Sequence, residues 1–289
     1  MNDPLLVVQQ ALYGFSEASV LFLLASGMTL VFGLMRIVNM AHGAFYLVGA
    51  YIGIVVSTAT GNLLVAILAG AAVVAALAFA ADLGLLRWLR GQELPEVLVT
   101  IGLTYIIGDL CLAIFGGDPL GLAGPAKEPA GGFQVGSVTF PWFRLLVIGI
   151  AVVIGVGLVL VQHRTRVGAI LRAGVDDRET IAAHGINIRW VFTWMFVAGA
   201  ALAGAGGVID AGLENVVPNQ QWDFLVKSLV VVIVGGLGSI AGAAVGAVGI
   251  ALIDVFAKVY LPDIAYFTIF LPMALILIFR PNGLFGKKA

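Results

Sequence analysis

Residues 43 to 81 carry no charged side chain. A water-facing surface draws on roughly 25% charged residues, whereas a membrane-spanning helix needs about 20 consecutive apolar ones. The stretch is long enough for two crossings, and the Thr60-Gly61-Asn62 cluster supplies the tight turn that divides it. Further apolar runs lie at 11–35, 97–116, 142–162, 190–212, 224–258 and 264–280. With 61% hydrophobic and 11% charged residues, the chain lacks the polar side chains to cover itself in water. It reads as an all-α integral membrane protein, a polytopic helical bundle of about 8–9 spans with Gly-interrupted segments. Its 38 glycines fit close helix packing, since small residues let backbones approach in lipid.

The run at 224–258 sets the span count. Residues 228–253 are uncharged, and as one straight helix they exceed a bilayer core of about 30 Å. Gly235-Gly236-Leu237-Gly238-Ser239 interrupts them, and glycine weakens a helix interior. Two short segments meeting at a break near Gly238 are expected. Nine crossings from an outside N-terminus then put Arg36, Arg87, Arg90, Arg280, Lys287, Lys288 and the five arginines of 163–189 inside. Only Lys127, Arg144, Lys227 and Lys258 fall outside, which agrees with the positive-inside bias. A single crossing at 224–258 gives eight spans and leaves both termini on one side. The Gly- and Pro-rich segment 117–141 lands outside and reads as an external loop. Trp142, Trp190 and Trp222 sit at span ends, as interface anchors do. The start MNDPLLVVQQ lacks a basic n-region and reads as a retained extramembrane segment.

Several chemistries find no support. Cys111 is the single cysteine, so no intramolecular disulfide or cysteine metal cluster forms. His42, His163 and His184 have no metal-ligand spacing, and no catalytic constellation or cofactor motif appears. A net charge of −1 points away from nucleic acid. No G-x-x-x-x-G-K-[ST] loop is present, so any ATP-driven step needs separate nucleotide-binding chains.

Four groups of residues stand out. The first is the charged island HRTRVGAILRAGVDDRETIAAHGINIR, residues 163–189, in an otherwise apolar chain. Arg178 to His184 can form a short helix with an apolar patch from Ile181, Ala182 and Ile186, ended by Gly185 and preceded by Asp176, Asp177 and Glu179. Such a helix suits a groove on a soluble partner; an ordinary positive-inside loop is the alternative. The second is Arg36, Asn39 and His42, roughly on one helical face, followed by Gly43. They form either a cytoplasmic turn or an interrupted segment lining a translocation route. The third is Gly238, Gly242 and Gly246, a bare stripe for tight helix packing that is also compatible with a pore lining. Glycine-interrupted segments near 33–49 and 235–249 together suggest a midplane site. The fourth is the ionisable set within spans: Glu17, Asp82, Asp109, Asp210 and Asp254. Asp254 has Lys258 at i+4, Asp82 has Arg87 about a turn away, and Glu17 has no basic residue within a turn. Glu17 faces either an aqueous vestibule, a partner subunit or the hydrated outer interface.

Three of these stretches carry a family resemblance. GMTLVFGLMRIVNMAHGAFYLVGAY (27–51) closely resembles the signature of the branched-chain amino acid ABC importer permeases, LivH type. Residues 168–187 resemble that family's cytoplasmic loop through Gly168, Leu171-Arg172-Ala173, Asp176, Ala182-Ala183 and Gly185-Ile186-Asn187. VGGLGSIAGAAVGAVG (234–249) matches its glycine-rich late segment. Ala44 stands where many members carry Glu, and His184 where most are apolar. Permeases for urea and short amides are close relatives. The resemblance implies a single transmembrane permease domain over 1–289, with 163–189 as the cytoplasmic coupling loop. Asp176, Arg178, Glu179, Ala182, Ala183, Gly185, Ile186 and Asn187 would then dock on an ATPase subunit. It further implies a second, LivM-like permease, two LivG/LivF-like ATPase subunits and a periplasmic solute-binding protein, around a chain set in the bacterial inner membrane. The N-terminus would be periplasmic and the C-terminus cytoplasmic. The expected function is the transmembrane subunit of an ATP-driven importer of branched-chain or other hydrophobic amino acids. Glu17, Asn39, His42, Gly43 and Gly238 are candidates for its translocation pathway. The chain itself is not expected to be an enzyme. An ion-coupled secondary transporter and a membrane enzyme are the rival readings.

Overall fold

The computed structural model of the protein describes residues 4–35, 39–123, 131–136, 138–176 and 187–286. Among them, eight helices are long and apolar enough to cross a membrane. The first four are α1 (Pro4–Met35), α2 (His42–Thr60), α3 (Leu63–Leu89) and α4 (Glu93–Phe115). After a short hairpin come α5 (Trp142–Arg164) and the charged α6 (Arg166–Asp176), which is not a span. Then follow α7 (Ile188–Leu213), the short α8 (Gln221–Gly235), α9 (Ile240–Tyr260) and α10 (Pro262–Phe279).

The expected turn between α2 and α3 is present. Gly61 takes the left-handed conformation at φ 65°, and Asn62 Oδ1 accepts the Val65 N–H to cap α3. The break in the late run is present too. Helix α8 has 15 residues, about 22 Å of rise, which is short of a bilayer core of about 30 Å. Gly236 and Gly238 adopt φ of 103° and 81°, angles that a side chain makes costly, and Ser239 Oγ then caps α9 at the Gly242 N–H.

Helix α7 is the hub, packed against α1, α2 and α3, while α1 also lies along α9. Spans α1 and α7 are the most buried, and α5 and α10 the most exposed. The reason is composition. Helix α7 carries the run AGAALAGAGG at 198–207, and its glycines meet other backbones directly. A Cβ on Gly27 would strike the Gly199 carbonyl oxygen, and one on Gly199 would strike that of Gly27. Gly204 packs likewise against Gly49 and Gly70, and Gly207 against the Tyr46 carbonyl. In lipid, where apolar surface gains nothing by leaving the solvent, such close approach is a main source of helix association. The outer faces present residues such as Val153 and Ile278, both strongly exposed, as a lipid-facing surface does.

Three expectations need correction. Segment 117–141 is not simply a loop: antiparallel strands β1 (Gly132–Val135) and β2 (Val138–Pro141) pair within it, and Leu120 bridges to Val216. Phe133, Val135, Val138, Thr139 and Phe140, each β-branched or aromatic, favour pairing. The stretch from Pro4 to Gln10 is not separate from the first span but already belongs to α1. Asp82 does not pair with Arg87. A π-helical turn at Asp82–Leu86 changes the register, Arg87 lies over the Trp88 ring, and the partner is Arg90 at 2.5 Å.

The two ends of α1 mark two ends of the bundle. At its start, Gln9 Nε2 donates to the Thr139 carbonyl of β2 at 3.3 Å. At its other end Gly33 touches the Gly238 backbone. The tail after α10 joins there, with Leu284 and Phe285 N–H groups donating to the carbonyls of Val234 and Gly235 at 2.9 and 3.0 Å.

Candidate functional site

Charged side chains inside a helical bundle are costly unless paired, so the pairs locate the places where the fold spends polarity. The largest group lies between α1, α8 and α9. Lys227 Nζ stands 3.1 Å from Glu17 Oε1 and 3.4 Å from Asp254 Oδ2. Lys258 Nζ lies 2.8 Å from Asp254 and 3.9 Å from Glu17. Two carboxylates and two ammoniums thus neutralise one another, and the expected Asp254–Lys258 pair is among them. The Lys227 ammonium also lies 5.7 Å from the centre of the Phe224 ring. Phe224 in turn stacks on Tyr46 at 4.1 Å. The Tyr46 hydroxyl donates to Asp210 Oδ2. A polar thread therefore runs through α1, α9, α8, α2 and α7. Sequence reasoning placed Glu17, Asp210 and Asp254 among the candidates. It missed Lys227, Tyr46 and Phe224, because each is brought in by packing between distant segments. Lys227, a lone cation in an apolar run, was the available signal.

The second group is the first turn of α2. Asn39, Ala41, His42, Gly43, Ala44 and Phe45 are all buried. Asn39 Oδ1 accepts the Ala41 N–H at 3.0 Å. Helix α4 holds the intervening residue, with Thr100 Oγ1 accepting the Met40 N–H at 3.3 Å and Thr104 Oγ1 donating to the Met40 carbonyl at 2.9 Å. His42 Nε2 lies 2.9 Å from the Leu24 carbonyl of α1. Gly43 lies against the Gln221 carbonyl at the start of α8, where a Cβ would collide. Asn39, His42 and Gly43 are thus gathered at one buried helix start. Glu17 belongs to the charged group instead, and Gly238 to the far end of α1. Arg36 lies outside the described residues.

The third group ties α3 to α7. Arg90 donates to Asp82, to Thr193 Oγ1 at 3.1 Å and to the Arg189 carbonyl at 2.8 Å, while Thr193 Oγ1 donates to Asp82 Oδ2 at 2.6 Å. Asn187 caps α7 by accepting the Arg189 N–H. Of the other residues expected to dock on a partner, Asp176 ends α6. Arg178, Glu179, Ala182, Ala183, Gly185 and Ile186 lie outside the described residues.

The glycine stripe divides. Gly242 and Gly246 lie in α9 and pack against the backbone of Gly235 and Val231 in α8, but Gly238 sits in the break and not on the helix face. The two glycine-interrupted segments do meet, at the contact of Gly33 with Gly238. This contact is at the end of α1, not midway along it. Among the described residues, no group of three His, Cys, Asp or Glu could hold a metal ion.

Comparison with known proteins supplies the context for these groups. The family described as "Branched-chain amino acid transport system / permease component" matches residues 10–279. The chain is 30% identical to the high-affinity branched-chain amino acid transport system permease protein BraD of Pseudomonas aeruginosa, over 97% of this chain and 96% of that protein. It is 25% identical to the permease protein LivH of the corresponding Escherichia coli K12 system, with the same coverage of both chains. An autoinducer 2 import system permease protein, LsrC of Yersinia pseudotuberculosis, is 26% identical over 83% of this chain and 67% of its own length. No solved structure matches. A match from the first span to the last, with eight candidate spans among the described residues, places this multi-pass membrane protein in the branched-chain amino acid transport permease family.

Proposed function

We propose that this chain is one of two transmembrane subunits of an ATP-driven importer, and that its solute is a branched-chain or related hydrophobic amino acid. The observation that carries the reading is the end-to-end likeness to permease proteins named for branched-chain amino acid transport. The whole chain, 1–289, acts as one transmembrane domain. It holds no nucleotide loop, so ATP hydrolysis belongs to two separate ATPase subunits. A second permease completes the pathway, and a periplasmic binding protein delivers the solute. Transport is alternating access, and no bond in the solute changes.

The N-terminus is periplasmic and the C-terminus cytoplasmic in this reading. Support comes from the charge bias and from the hairpin and the C-terminal tail lying at opposite ends of α1. The segment around Asp176 to Asn187 is then the cytoplasmic coupling element. Arg90 is suited to pass its movement on, because it bonds the first turn of α7 and the end of α3 together. Affinity purification of the tagged chain from native membranes tests the assembly. It should bring down a second permease and two ATPases in fixed ratio. A chain that purifies alone in mild detergent and still transports solute overturns the proposal. Measuring whether the associated binding protein holds leucine, urea or an amide tests the solute separately.

A further inference from the structure

The corner between α3 and α4 holds a buried carboxylate outside the three polar groups described above. Glu96, in the first turn of α4, is 3% exposed, and its Oε2 has no hydrogen-bond partner among the described residues. A buried polar atom without a partner costs stability, and a charged one costs more. In a native protein such an atom calls for an explanation.

Arg90 stands at the same corner. The charges of Arg90 and Asp82 both act on Glu96. The π-helical turn of α3 packs on α4, and the Gln92 N–H closes the corner by donating to the Leu89 carbonyl at 2.9 Å. There is open space beside Gly91 at its tip. The two terminal nitrogens of Arg90 bond Asp82, Thr193 and the Arg189 carbonyl, but its buried Nε–H has no acceptor among the described residues. A cation with a spare donor and an anion with a spare oxygen thus share one tight helix corner.

Both lead onward into the bundle. Arg189, whose carbonyl Arg90 holds at 2.8 Å, lies in the first turn of α7, directly after the segment read as the coupling element. In the other direction, Glu96, Thr100 and Thr104 recur every four residues on one buried face of α4. Thr100 and Thr104 bond the Met40 backbone just before α2.

We propose that Arg90 is a two-position latch and that Glu96 is its second acceptor, a positioning residue for coupling. In one transport state Arg90 holds the Arg189 carbonyl, as here. In the other it keeps Asp82, releases that carbonyl and bonds Glu96. The exchange frees the start of α7 and draws α4 toward α3, and α4 carries Met40 and the start of α2 with it. A bond to a carboxylate is stronger than one to a neutral carbonyl, which favours the second position once the coupling segment is displaced. The latch is a discrete two-state element, as transmission between distant sites requires. It rests on the ATP-driven import proposed above and adds the side chain that relays the movement.

The test is cryo-electron microscopy of the unaltered complete complex in lipid nanodiscs, without nucleotide and trapped with ATP and vanadate. Arg90 should bond the Arg189 carbonyl in one state and Glu96 in the other. Arg90 on the Arg189 carbonyl in both states overturns the latch. Leucine taken up per ATP hydrolysed, in proteoliposomes with binding protein, is the functional arm. In Glu96→Leu that ratio should fall by about tenfold, the order by which a hydrogen bond to a charged group shifts an equilibrium. Glu96→Gln, which keeps an acceptor, should fall less. Both variants should melt no lower than the parent, because a buried unpaired carboxylate has been removed. An unchanged ratio in Glu96→Leu overturns the latch. So does a lower melting temperature with hydrolysis and uptake falling together, which marks a merely structural residue. Thr100→Val with Thr104→Val should also lower the ratio; an unchanged ratio there overturns the route to α2. A parent complex without ATP-driven uptake overturns the import reading itself, whereas normal uptake with Arg90 fixed in both states overturns the latch alone.

Discussion

The ammonium of Lys227 stands 3.1 Å from the Glu17 carboxylate, with Asp254 3.4 Å away on the other side, so one side chain ties α8 to both α1 and α9. Lys227→Met leaves those carboxylates with only the more distant or more exposed Lys258. Breaking a buried pair costs about 3–5 kcal/mol; with a fifth of each side chain exposed, about 2–3 kcal/mol is expected here. The denaturant midpoint in detergent should fall accordingly, and Glu17→Gln added to Lys227→Met should recover much of the loss. A midpoint that does not move would show that the pair contributes nothing.

Gly27 and Gly199 hold α1 against α7 at backbone distance. Gly199→Leu is expected to cost at least the ~1–3 kcal/mol of an overpacked core and to lower the melting temperature seen by fluorescence-detected gel filtration. Gly149 in α5 has open space beside it, and Gly149→Leu should melt like the parent. Equal behaviour of the two variants would contradict the packing account.

What could be read before the structure follows from range. The uncharged run at 43–81, the turn at Gly61 and the break at Gly238 are local properties of composition and glycine placement, and each is present. Asp254 with Lys258 is a one-turn spacing on a regular helix, and it pairs. Asp82 shows where that logic stops: a π-helical turn shifts the register and Arg90 takes the place expected of Arg87. Glu17 seemed unpartnered because its cation is 210 positions away. Gln221 gave no periodic signal, since its burial depends on how α8 enters between α2 and α4. The glycine run of α7 was visible, but nothing local marks it as the hub.

Arg90 is the only cation bonded to Asp82 among the described residues, and Asp82 is fully buried. Arg90→Gln should destabilise the protein by about 3–5 kcal/mol, with partial rescue by Asp82→Asn in the same chain. Thermal unfolding of the parent, the single variant and the double variant in one detergent decides it. No rescue by the second substitution would mean that Arg90 acts through its bonds to Thr193 and the Arg189 carbonyl instead.

The charged segment supplies a functional counterpart. Reversing charge at Arg178 and Glu179, or placing Leu at Gly185, should leave insertion intact and separate ATP hydrolysis from uptake in the assembled complex. Parallel assays of phosphate release and solute accumulation provide the check. Normal coupling in these variants would remove the docking role from this segment.

The central claim is that the chain moves solute only when driven by ATP-hydrolysing neighbours. Leucine uptake into proteoliposomes, with ATP available to the ATPases and no ion gradient, measures it directly. Uptake is expected from the complete complex with its binding protein, and none from this chain reconstituted alone with or without an ion gradient. Accumulation by the chain alone, or uptake that follows an ion gradient and ignores ATP, would contradict the account.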